Sequence, residues 1–196
     1  MSVNSTIRNG ECNSRQRIET RTGSFGIGID DGGFSLSLPQ RILLMTDGTV
    51  TDLLELYAGE AISARRLEQT LTRNTQPLLS VPPETALLKR RVVLCGDKTN
   101  YLYAESFLVF DMLTETMRYK LLETDCPMGR AWKEERLETY REVIEHKTAP
   151  CPRVSMYFDA PLHIPILSRT YLIFMRNRPF AVVTESFPST YFRECQ

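Results

Sequence analysis

Two apolar, strand-like runs in this chain each carry a charge in their midst: Arg90 in Arg90-Arg91-Val92-Val93-Leu94, and Glu185 in Ala181-Val182-Val183-Thr184-Glu185-Ser186-Phe187-Pro188. Side chains alternate between the two faces of a strand, so Arg90 falls with Val92 and Leu94, and Glu185 with Ala181, Val183 and Phe187. A charge on an apolar face is costly unless it meets a partner or a ligand. The chain must therefore fold so that these charges are met, and the residues that carry them are the first candidates for a site. Arg169 repeats the arrangement with Tyr171 and Ile173, in the strand expected to pair with the one carrying Glu185. Glu105 is expected to do so with Tyr101, Tyr103, Phe107 and Val109. Two arginines and two carboxylates on the inner faces of a small sheet make either a closed ion network retained in the core or the lining of a pocket for a small anion. Arg91, on the face opposite Arg90, is assigned to solvent. Tyr57, Tyr101, Tyr103 and Trp132 are assigned to packing, because no basic stripe interleaves them.

The rest of the pattern surrounds these strands with helices. Residues 1–37 are polar and glycine-containing and predict a flexible leader or flap; residues 38–196 predict a single domain. Thr49 and Asp52 have the spacing of a capping box for a short helix carrying Leu53, Leu54 and Leu56, which Gly59 ends. Residues 62–72 fit neither period. Strands are predicted over 90–95 and 101–110, joined by the turn-like Gly96-Asp97-Lys98-Thr99-Asn100, and over 169–175 and 180–187, flanking Arg176-Asn177-Arg178-Pro179. Thr114 predicts the cap of a helix with Met117, Leu121 and Leu122. A second, highly charged helix is predicted over 130–146, where Leu137, Tyr140 and Ile144 recur at helical spacing. The prolines from 150 to 165 predict a long loop with a short strand near 154–158. Together these give an α+β fold, a mainly antiparallel sheet with helices packed on it.

Charge and residue usage remove several functions. Lys plus Arg number 24 against 24 Asp plus Glu, dispersed rather than gathered, so no concentrated positive surface favours nucleic acid. No stretch approaches the roughly 20 apolar residues needed to span a bilayer, and a cytoplasmic protein with no membrane partner is expected. Five cysteines, Cys12, Cys95, Cys126, Cys151 and Cys195, include no C-x-x-C pair, and the histidines are only His146 and His163. That is poor material for a metal site or a Ser-His triad.

Read in order, the blocks Thr46-Asp47-Gly48-Thr49-Val50-Thr51, Arg90 to Leu94, Tyr103-Ala104-Glu105-Ser106, Pro127-Met128-Gly129 and Thr184-Glu185-Ser186-Phe187 resemble the chorismate pyruvate-lyase family, in its bacterial branch that makes 4-hydroxybenzoate. The resemblance covers about 38–192. It implies a chorismate lyase-like fold, chorismate as small-molecule substrate, pyruvate elimination, and no cofactor, since aromatisation of the ring supplies the driving force. By position it implies Arg90 as the residue that binds a carboxylate, Glu185 as the group facing the hydroxyl or ether side of the ring, and backbone groups near Val50 and Met128 as the rest of the pocket. Arg169 is added as a counter-charge because chorismate is a dianion, and Glu105 as a further pocket residue. The competing expectation is a sensor domain of the same fold that holds an aromatic or carboxylic acid unchanged.

Overall fold

The computed structural model describes residues 35–193. The leader expected over 1–37 lies outside the described residues up to residue 34. Ser37 is already structural. Its hydroxyl accepts from the Gln40 amide at 3.2 Å, and its own N–H donates to Gln40 Oε1 at 3.0 Å, closing a capping box at the start of α1 (Leu38–Met45). α2 (Val50–Ala58) begins at Thr49 and ends, as the sequence predicts, at Gly59, whose φ of 68° suits glycine. The Thr49–Asp52 capping box does not form, for Thr49 makes no side-chain cap bond. Its methyl instead packs at Gly129, where a Cβ would come within 2.5 Å of it.

Six strands make one antiparallel sheet in the order β1-β2-β3-β6-β5-β4. They are β1 (Ser63–Arg73), β2 (Ala86–Cys95), β3 (Asn100–Val109), β4 (Thr139–Pro150), β5 (Pro165–Met175) and β6 (Arg178–Pro188). The β5–β6 hairpin turns on Arg176 and Asn177, both at positive φ (52° and 59°), as a two-residue link between twisted strands requires. β3 pairs with β6, which joins the two halves of the sheet and leaves β1 and β4 as edges. No helix among the described residues is long and apolar enough to cross a membrane.

Two further expectations fail locally, and one unassigned stretch finds its place. The charged helix predicted over 130–146 divides into a short α4 (Met128–Glu134) and the edge strand β4. A solvated edge strand carries charges on its open face. The bulge between Val143 and Glu145 shifts the alternation by one, so Tyr140 and Ile144 imitate a helical spacing. The unassigned stretch 62–72 is the other edge strand, β1, bulged between Arg66 and Glu68. Around 154–158 a helical turn, α5 (Pro152–Ser155), replaces the expected strand: the N–H groups of Val154 and Ser155 both donate to the Cys151 carbonyl at 2.9 Å.

Both faces of the sheet are covered. On one, α1 and α2 pack Leu43, Leu44, Val50 and Leu54 against Val92, Leu94, Leu102 and Phe187. α3 (Glu115–Glu123) and α4 pack Met117, Leu121, Ala131 and Trp132 beside them, against Leu108, Ile173 and Val183. Between these two helical pairs runs a seam. The opposite face is closed by Leu79 with Leu87, Val109 and Val182, and by Val154 and Phe158 with Val93 and Tyr103.

The C-terminal segment is tied to α1 through Gln40, fully buried, whose Nε2 donates to the carbonyls of Ser189 (2.9 Å) and Tyr191 (2.7 Å). Gln40→Ala strands both carbonyls and should cost about 1–3 kcal/mol in urea unfolding, with an unchanged slope.

Candidate functional site

Register places the inner-face charges. Arg90 on β2 stands opposite Ser106 on β3, which stands opposite Val183 on β6. Glu185 is two residues along β6 and is paired with Ala104. Strand spacing puts the Arg90 and Glu185 Cα atoms roughly 12 Å apart, with β3 crossing between them. β3 contributes only Ala104 and Ser106 to that interval, so the floor between guanidinium and carboxylate is low. A cleft of about 550 Å³, part of it open to solvent, occupies this position at the seam of the helical pairs. Its walls are the starts of α2 (Thr49, Val50, Thr51) and α4 (Met128, Gly129), held together by the Arg130–Glu55 ion pair. Gly129 is required here, because any side chain would collide with Thr49.

Arg90 is 2% exposed. Its Nε donates to Gln69 Oε1 at 2.8 Å, while Nη2 is buried with no partner. Burial, and secondarily the charge of Arg66, pulls the guanidinium down to about 10, which still leaves it cationic at neutral pH. The indole Nε1 of Trp132, another lining group, is also buried and unpaired. Two buried donors without acceptors in one cleft are groups that a ligand oxygen would satisfy. Gln69, which orients Arg90, lies in the stretch whose period was unreadable, and Trp132 was assigned to packing. A lone aromatic carries no sequence signal that separates the two roles.

Glu185 is held from two sides. Arg169 Nε donates to Oε2 at 2.8 Å and the Tyr171 hydroxyl to Oε1 at 3.0 Å. Burial lowers the Arg169 pKa, but the Glu185 carboxylate outweighs it and leaves the group above the ordinary arginine value. Burial, then the same carboxylate, raises the Tyr171 phenol, so it stays a donor. Arg169 is 2% exposed and is not part of the cleft wall. Its Nη1 donates to the Thr46 carbonyl at 2.6 Å, so it stands behind Glu185 rather than beside a ligand. Both alternatives for the inner charges are thus realised at once: Arg169 and Glu185 form a closed pair, while Arg90 remains open.

Glu105 does not join them. It projects from the opposite face of the sheet and accepts from Arg91 Nε at 2.7 Å, with Arg153 at 3.7 Å. Arg91, expected in solvent, is half-buried there and also pairs with Glu68 at 2.5 Å. The expected inner-face grouping of Glu105 with Tyr101 and Tyr103 fails because β3 turns Leu102, Ala104 and Ser106 toward the helices. One further arginine enters the cleft from β4: Arg141, whose Nη1 donates to the Asp47 carbonyl at 2.7 Å. The helix predicted over 130–146 concealed it. Among the described residues no His, Cys, Asp or Glu group is arranged to hold a metal.

The two faces differ in energetic weight. Arg169→Met leaves Glu185 buried without its cation and should cost about 3–5 kcal/mol in urea unfolding. Arg91→Met, in a partly solvated network, should cost about 1 kcal/mol or less in the same measurement.

A family model described as Rv2949c-like chorismate pyruvate-lyase matches residues 44–195. Chorismate pyruvate-lyase of Mycobacterium leprae (strain TN) is 30% identical over 168 residues, 79% of this chain and 76% of its own length. That of Mycobacterium tuberculosis (strain ATCC 25618 / H37Rv) is 24% identical over 163 residues, covering 79% and 81%. Among solved structures, the effector domain of PhnF from Mycobacterium smegmatis superposes with a TM-score of 0.60 at 10% identity, over 75% of this chain and 92% of that one. The ligand-binding domain of a GntR-family transcriptional regulator from Bordetella bronchiseptica gives 0.53 at 15% identity, over 70% and 90%. At such identities these structures share the fold. The family match takes in all six strands and every wall of the cleft, and the chain belongs to the Rv2949c-like chorismate pyruvate-lyase family.

Proposed function

We propose that this protein is a lyase that eliminates pyruvate from chorismate and leaves 4-hydroxybenzoate. The observation that carries the reading is the unpaired Nη2 of buried Arg90 facing, across a floor of Ala104 and Ser106, a carboxylate whose position is fixed by two donors. Arg90 takes the ring carboxylate, and a planar guanidinium locked by Gln69 does so at low entropic cost. The Trp132 N–H supplies a further donor, and backbone groups at Val50 and Met128 close the pocket around the ring.

In the reaction the ether C–O bond breaks with its electrons passing to the departing enolpyruvyl oxygen. The hydroxyl-bearing ring carbon loses its hydrogen as a proton, and the enolpyruvyl methylene carbon gains a proton to become the methyl group of pyruvate. Atoms and charge balance without an oxidant or reductant. Glu185, held by Arg169 and Tyr171, serves as a fixed acceptor for the substrate hydroxyl, and the protein acts by orientation and preorganised charge. The shared fold with effector domains supports a second reading, a sensor that binds such an acid unchanged.

Chorismate incubated with the pure protein should yield pyruvate and 4-hydroxybenzoate in equal amounts, followed by pyruvate-coupled assay and absorbance. Chorismate that binds and persists would decide for the sensor. Arg90→Ala should raise KM at least tenfold, whereas Glu185→Gln should lower kcat by about 100-fold with KM nearly unchanged. Trp132 is the chain's one tryptophan, so its fluorescence should shift on adding 4-hydroxybenzoate, and Trp132→Phe should weaken that binding about fivefold when both proteins are compared by equilibrium dialysis.

A further inference from the structure

A dianion in this cleft needs a second cation, and Arg169 is not available for it. Its guanidinium is buried behind Glu185 and is not part of the cleft wall, with Nε on the carboxylate, Nη1 on the Thr46 carbonyl and Nη2 without a partner among the described residues. Two cationic side chains line the cleft, Arg90 on β2 and Arg141 on β4. They enter from opposite sides. Arg141 is paired across the sheet with Ile173, whose neighbour on β6 is Ala181, so three strand intervals separate β4 from β3 beneath the cleft floor. It is half-buried and forms no ion pair among the described residues. Among the described residues it makes one hydrogen bond, from Nη1 to the Asp47 carbonyl, which anchors the guanidinium at the loop before α2 and leaves its other N–H groups without a partner there. Its strand partner Ile173 lies two residues from Tyr171, whose hydroxyl donates to Glu185, so Arg141 stands at the Glu185 side of the cleft.

We propose that Arg141 binds the second carboxylate of a dicarboxylate ligand, the one on the enolpyruvyl arm, while Arg90 holds the carboxylate on the ring. The inference rests on the lyase reading for the identity of that arm and on the cleft alone for the two-cation arrangement. It makes Arg141 the residue that separates substrate from product. Once pyruvate has left, the aromatic acid carries one carboxylate and loses its contact at this end.

The test compares two stable acids, 3-(carboxymethoxy)benzoate, with an ether-linked second carboxylate, and 3-methoxybenzoate, with one. Both are titrated against the full chain by Trp132 fluorescence. The wild type should prefer the dicarboxylate about tenfold or more, as one charge-assisted contact implies. Arg141→Gln should abolish that preference and keep the affinity for the monoacid within about twofold, and Arg141→Lys should restore part of it. A preference that survives in Arg141→Gln, an equal weakening of both acids, or no preference in the wild type overturns the assignment. Pyruvate release is scored separately: a wild type that prefers the diacid yet releases no pyruvate from chorismate refutes the lyase reading and leaves Arg141 in its role.

Discussion

The ion pair of Arg169 and Glu185 holds together more than its own two strands. Arg169 spends one nitrogen on Glu185 and another on the Thr46 carbonyl, in the loop between α1 and α2. Arg141 takes the next carbonyl in that loop, Asp47, and His146 Nε2 lies 3.0 Å from the Leu44 carbonyl at the end of α1. Carbonyls at and after a helix C-terminus lack intrahelical donors, and cations are favoured there. Side chains from β4 and β5 supply them, so the sheet fixes where α1 stops and where α2 starts. Since the first residues of α2 form one wall of the cleft, the buried pair sets both the carboxylate inside the site and the wall beside it.

A charge in the core is normally a weak device for stability, because desolvation offsets most of the attraction. Here each carboxylate oxygen of Glu185 has one protein donor, while the guanidinium across the floor meets no carboxylate among the described residues. Arg90 has one nitrogen on Gln69 and another without a partner among the described residues, a cost that an entering acid would relieve. Both arginines are 2% exposed, sit on apolar strand faces and bury an Nη2 without a partner among the described residues; they differ in that Arg90 lines the cleft while Arg169, joined to Glu185, does not. Room for the ligand comes from subtraction: Ala104, Ser106 and Gly129 are small where larger side chains would fill the seam.

The relation to effector domains of transcription regulators belongs to the same physics. One antiparallel sheet with two helical pairs on a face leaves a seam, and small strand residues beneath it leave a cleft whether or not chemistry follows. What would separate catalysis from sensing is whether the groups around the ligand favour the departing charge over the bound ground state.

Period-two patterns around Arg90, Arg169 and Glu185 were legible because the central strands keep their register on either side of these residues and slip only toward their ends, at Leu94/Cys95 and Ile173/Phe174, and Thr114 and Gly59 were legible because helix ends use local chemistry. The edge strands were not. β1 and β4 are each broken by a bulge and solvated on one side, so their alternation slips and their charges read as a helix or as nothing. With them Gln69 and Arg141 were hidden. Glu105 lies on central β3, where alternation groups it with Tyr103 but does not say which face the helices cover. Residue order alone established an α+β chain with costly charges on inner strand faces. Only the assembled sheet decided which of those charges neutralise one another and which remains open, because that depends on cross-strand register between segments far apart along the chain.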